Sequence, residues 1–194
     1  MKLIALGAFA LATLVAGAAS AQTPQVTHGA PITGVCVLNL EGVLRASTAG
    51  QGVATRIQAL QQEVEAELAP YLTTIQTEDA ALTQAGASLP ADQRQARTQA
   101  LQARFQEYQQ LGQTREREMQ YTGQVQQRAL FAAADPIIAS VYQARGCSLL
   151  LERGSVYLAN PAMDVSEAVL QALNTQAPSL PNFNRQAVPV QPQQ

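Results

Sequence analysis

GCSLLLERGSVYLANPAMDVSEAV, Gly146–Val169, follows residues 49–145, a polar run rich in Gln, Ala and Arg. Within it two short apolar runs, Cys147–Glu152 and Ser155–Leu158, flank Arg153-Gly154, which predicts a β-hairpin. Asn160-Pro161 then turns the chain, and Ser166 is placed to cap a short helix carrying Val169, Leu170 and Leu173 on one side. Far upstream, GVCVLNLEGVL (Gly34–Leu44) supplies another β-branched apolar run and the only other cysteine. Val35–Leu40 reads as a strand, and Glu41–Ala46 as one or two helical turns.

Between these ends the period changes from two to 3.6. Thr48 and Gln51 have the spacing of a capping box, so a long helix is expected to start there. Val53, Ile57, Leu60, Val64, Leu68, Tyr71, Ile75 and Leu82 then recur at steps of mostly three and four, the narrow stripe of a coiled-coil seam. Pro70 removes one hydrogen bond and is expected to kink this helix without ending it. In GASLPADQ, Gly86 reads as a helix stop, Ser88 as a cap and Pro90 as first-turn proline of the next helix. The second helix is expected over Ala91–Arg145, with a thinner stripe of Leu101, Phe105, Tyr108, Leu111, Met119, Tyr121, Val125, Leu130, Ile137 and Val141. Gly112 and Gly123 weaken its middle, and Pro136 marks a second kink or a fresh start.

Helices this long cannot be wrapped into a compact domain and must project. Joined by a short turn they lie antiparallel, which returns the terminal hairpin to the first strand. The expected fold class is α+β: a small β-rich body from residues 34–48 and 146–175, and a helical hairpin arm from residues 49–145. The strands are expected to run antiparallel. Three short strands and one helix make a poor core with open edges, and oligomerisation through the body is the expected remedy.

The remaining segments read as leader and tail. Met1 and Lys2 precede the apolar run Leu3–Val15 and the small-residue site Ala19-Ser20-Ala21, the pattern of a cleavable signal peptide over residues 1–21. That run is too short for a membrane span. With no lipobox-type cysteine at the cleavage point, the pattern predicts the Gram-negative periplasm. Residues 22–33 read as a flexible leader, and residues 176–194, with Pro178, Pro181, Pro189 and Pro192, as a disordered tail. Cleavage removes Lys2, the only lysine, and moves the formal charge from −2 to −3. This argues against nucleic acid as a partner. The only histidine, His28, sits in the leader, so the fold offers no imidazole base or metal ligand, and neither an enzyme nor a cofactor or metal is expected.

Cys36 and Cys147 have two readings. They form a disulfide in an oxidising compartment, or they are two small buried hydrophobes. Parity favours the bond, because Cys36 alternates with Leu38 and Leu40, and Cys147 with Leu149 and Leu151. Register opposes it, because both cysteines come early in strands expected to be antiparallel.

VCVLNLEGVL, the following STAGQGVATRIQAL, and above all ARGCSLLLERGSVYLANPAMDVSEAVLQALN resemble the Skp or OmpH family of periplasmic chaperones. The resemblance runs from about Val35 to Asn174 and is carried by the end segments; the helices match only in length and composition. It implies a jellyfish-like homotrimer with a β-rich body and three helical tentacles. These enclose unfolded outer-membrane β-barrel proteins, without ATP, until they reach the barrel-assembly machinery. Val35, Val37, Leu38, Leu149, Leu151 and Val156 are then expected in the body and trimer core, and Phe105, Tyr108, Leu111, Met119 and Tyr121 as contacts for the held protein. The charge departs from the strongly basic members: residues 51–87 carry one Arg against five acids, and residues 91–131 six Arg against four. Complementarity within the hairpin explains this split, and lipopolysaccharide is not an expected ligand. A rival expectation is a periplasmic coiled-coil adaptor, although Pro70, Gly112, Gly123 and Pro136 suit a flexible arm better than a rigid spacer.

Overall fold

The computed structural model describes residues 26–189; the signal peptide expected over 1–21 lies outside them. The chain is mostly helical. In order it forms β1 (Val35–Leu38), α1 (Leu40–Ala46), α2 (Thr48–Ala85), α3 (Ala91–Ala144), β2 (Leu149–Glu152) and α4 (Ser166–Gln176). The body is therefore less rich in strand than expected. Its sheet has two strands of four residues each.

These strands run parallel, not antiparallel, with Val35 opposite Leu149 and Cys36 opposite Leu150. A parallel pair needs a long crossover connection, and here the whole arm is that crossover. The expected second arm of the hairpin does not form: Arg153–Ser155 is a 3₁₀ turn, and among the described residues no strand follows it. The place beside β1 is taken by the segment at Asp164, where the Val165 N–H donates to the Val37 carbonyl at 2.9 Å.

Several helix ends are capped one or two residues away from the expected positions. Ser47 caps α2, its hydroxyl accepting from the Gly50 N–H at 3.0 Å, while Thr48 instead reaches Asn174 on α4. At the tip Gly86 takes a φ of 47° and ends α2. Ser88 caps nothing: its hydroxyl donates back to the Ala85 carbonyl, and Pro90 stands before α3. Ser166 is the first residue of α4, its N–H bonded to the Asp164 carboxylate at 2.8 Å and its hydroxyl to the Asn39 N–H at 2.8 Å. α3 continues through Pro136 without a break.

The core lies where α1, the first turn of α2, the last turns of α3 and one face of α4 meet. Leu38, Val43, Leu44, Ala49, Leu130, Ala134, Ile137, Val165, Val169 and Leu173 are buried there with both cysteines. Each buried aliphatic side chain contributes about 1.5–3 kcal/mol. Gly50 admits no larger residue, because a Cβ there would fall inside the van der Waals radius of the Leu44 carbonyl oxygen. Cys36 and Cys147 form a disulfide with Cα atoms 5.8 Å apart. Cys147 lies before β2 and reaches Cys36 diagonally, because the chain turns at Gly146 (φ 65°) and the Ser148 and Leu149 N–H groups both donate to the Gly34 carbonyl. In the chain-entropy picture a loop of this size adds about 4–5 kcal/mol. The turn also shifts the parity of β2. Leu150 packs on the core, whereas Leu149 is 49% exposed.

Candidate functional site

At 1.5 Å per residue α2 and α3 are about 57 and 81 Å long. Leu60 on α2, and Thr122 and Gln126 on α3, are buried at the root of the arm. Beyond that level towards the tip no residue is fully buried. The distal arm is thus a narrow seam between two polar helices. Of the five residues singled out on its stripe, Phe105 is 46% exposed, and Tyr108, Leu111, Met119 and Tyr121 are half-buried. They are spread along α3 and do not converge on one pocket. Leu72, on α2, is a further exposed apolar side chain of the arm, at 40%.

Glu67 on α2 accepts from Arg115 Nε on α3 at 3.0 Å, which fixes the antiparallel register of the arm. Pro70 lies beside Arg104 and Glu107 of α3, whereas Gly112 lies beside Gln61, Val64 and Glu65 of α2, so the two weak points stand about a turn apart. Pro70 cannot donate to the Ala66 carbonyl. Thr73, Thr74 and Thr77 each bond back to the carbonyl four residues before, at 2.8–2.9 Å, a habit that favours bending. The Arg115 guanidinium holds the Glu67 carboxyl below its ordinary value of 4.5, against a smaller opposing effect of burial, and Arg185 adds to the lowering.

Arg185 lies in the segment expected to be disordered, and through Pro189 that expectation does not hold. Residues 177–189 lie against the base of the arm. Ala177 and Leu180 pack on the core, and Arg56 Nε donates to the Phe183 carbonyl at 3.1 Å. Arg185 meets Glu67 and Glu118, both at 3.0 Å, and the Gln186 N–H donates to the buried Thr122 hydroxyl at 2.9 Å. Proline-rich composition suggested disorder, yet prolines also suit an extended strand that needs few backbone partners. The signal missed in the sequence is Leu180, Phe183 and Arg185 spaced to face a helix of net negative charge.

The body carries a second exposed feature. Leu149 (49%), Tyr157 (97%) and Leu158 (59%) are exposed on and just beyond β2. Among the described residues the outer edge of β2 has no partner strand. Val37 and Leu38 are buried within the chain, while Val35, Leu151 and Val156 are half-buried. The described residues contain no group of three or more His, Cys, Asp or Glu side chains able to hold a metal. No helix among them is long and apolar enough to cross a membrane.

A long helical hairpin on a small disulfide-tied base defines an arm-bearing fold. Residues 34–173 match the family described as "Outer membrane protein (OmpH-like)", and the chain belongs to that family. Its fold is similar to that of an OmpH-like protein of Caulobacter crescentus assigned as an outer membrane chaperone. The two are 34% identical, with a TM-score of 0.78 over 84% of this chain and 96% of that one. No curated protein matches the chain significantly.

Proposed function

We propose that this protein is an ATP-independent holdase of the periplasm, secreted by a signal peptide over residues 1–21. Three copies join through the body, and their arms enclose a cavity that holds unfolded outer-membrane β-barrel proteins until the barrel-assembly machinery receives them. The observation that carries this reading is the arm itself. In a member of the OmpH-like chaperone family, it sets apolar side chains singly among polar ones, with Phe105 nearly half exposed. Weak scattered contacts suit a protein that must hold many sequences and release them. Phe105, Tyr108, Leu111, Met119 and Tyr121 are its proposed contacts. The free edge of β2 and the exposed Leu149, Tyr157 and Leu158 support a self-association surface on the body. The pairing of Glu67 with Arg115 across the arm agrees with internal charge complementarity, so lipopolysaccharide is not proposed as a ligand.

The test is dilution of a urea-unfolded outer-membrane β-barrel protein into buffer, with and without the mature chain and with no nucleotide. Light scattering should fall when about one trimer is present per unfolded chain. Undiminished aggregation in excess protein would discard the holdase reading and leave a coiled-coil adaptor as the better one.

A further inference from the structure

The segment after α4 has more anchors than a chain end needs. It starts against the core at Ala177 and Leu180 and crosses the first turns of α2, where Ser179–Phe183 and Ala49, Gly52, Val53 and Arg56 line one groove. Arg56 holds it twice, through Nε to the Phe183 carbonyl at 3.1 Å and through Nη2 to Asn184 Oδ1 at 3.0 Å. It then reaches both arm helices at once. Arg185 bridges Glu67 of α2 and Glu118 of α3, and both carboxylates also bind Arg115. Next to this cluster the Gln186 N–H ends on Thr122, a hydroxyl with no solvent exposure. From Val53 to Glu67 the anchors span about 21 Å of α2 at 1.5 Å per residue. The last ion-paired anchor on α2, Glu67, lies about one helical turn short of Pro70.

We infer that residues 177–189 form a strap that clamps α2 to α3 at the root of the arm, so that the arm bends only beyond it, at the level of Pro70. Below that level the helices are joined by a buried core, a four-residue charge cluster and the strap. Above it they share only a half-exposed seam. Removing the strap lengthens the flexible part of the arm towards the body. This holds whether or not the arm grips unfolded proteins.

Hydrogen exchange in the full mature chain tests the strap without any bound protein. Compared with it are a chain ending at Gln176 and the variant Arg185→Glu, which faces two carboxylates with a third. Root amides, in residues 56–68 and 115–126, should lose protection by roughly tenfold or more in both variants. Amides in the distal arm, residues 75–107, and in α4 should be unchanged. A synthetic peptide of residues 177–189 added to the shortened chain should restore root protection. Unchanged root protection in Arg185→Glu overturns the strap, and that variant decides the matter if the shortened chain does not fold. Protection lost equally along the whole arm also overturns it, because the strap would then be a general stabiliser that sets no bending point. A failed aggregation assay beside a normal exchange result would remove the holdase reading alone.

Discussion

Glu67 accepts from two arginines of separate elements, Arg115 on α3 and Arg185 on the strap. Its pKa is lowered in the folded chain, chiefly by the hydrogen bond from Arg115. A carboxyl group depressed in this way contributes stability that is fully present above its unfolded value near 4.5, and loses it as pH falls through the lowered folded value. Urea unfolding followed from about pH 6 to about pH 3 should therefore show a loss of stability that begins below pH 4.5, and Glu67→Gln should make that loss smaller. An identical acid profile in the variant would mean the contact adds nothing in solution, as is common for exposed ion pairs.

At the scale of elements, the two long helices do different things along their length. Their roots bury Leu60, Thr122, Leu130 and Ala134, whereas their distal halves bury nothing completely. Replacing residues 68–111 by a short glycine-rich turn rejoins α2 and α3 at matched heights, because Gly112 lies beside Glu65, and removes the distal arm with Phe105, Tyr108 and Leu111. That replacement should leave the body fold and its melting temperature nearly unchanged, yet abolish suppression of aggregation. A shortened chain that still suppresses aggregation at equal trimer concentration would place the holding surface elsewhere. Much at this scale is legible in the sequence. Gly86 and Gly146 mark the ends of the helices because only a residue without Cβ takes positive φ readily there. The direction of the strands is not legible, since it depends on how the chain turns between the strands and the arm, which no local pattern encodes. The caps move for a similar reason. Thr48 and Ser166 have the right chemistry but are taken by long-range bonds to Asn174 and Asn39, leaving Ser47 and Asp164 to satisfy the helix starts. The candidate contacts on the arm are legible as types and positions; their exposure depends on the opposing helix and is set only by the register.

As a whole the molecule has a rigid base with one unfinished side. Leu149 shows how much the environment of a residue depends on the assembly: half exposed in one chain, it lies on the surface proposed to meet two other copies. Leu149→Asp should cost little in the stability of a single chain, because the side chain already meets solvent there. In the proposed trimer it would bury three unpaired charges and should shift sedimentation equilibrium towards monomer, by several kcal/mol in association free energy. A variant that keeps the mass of the wild-type assembly would move the interface away from β2.

The disulfide joins the two places where the arm enters and leaves the base, 111 positions apart in sequence. The arm is thus a covalently closed ring, with both chain ends outside it. Tension applied between the ends is carried across the sulfur–sulfur bond and never travels out to the tip. Likewise, a protease that cuts the exposed turn at Gly86–Ser88 opens the ring without freeing either half. In an oxidising medium a nicked arm stays on its base as two tethered helices, and only reduction lets the pieces come apart by mass.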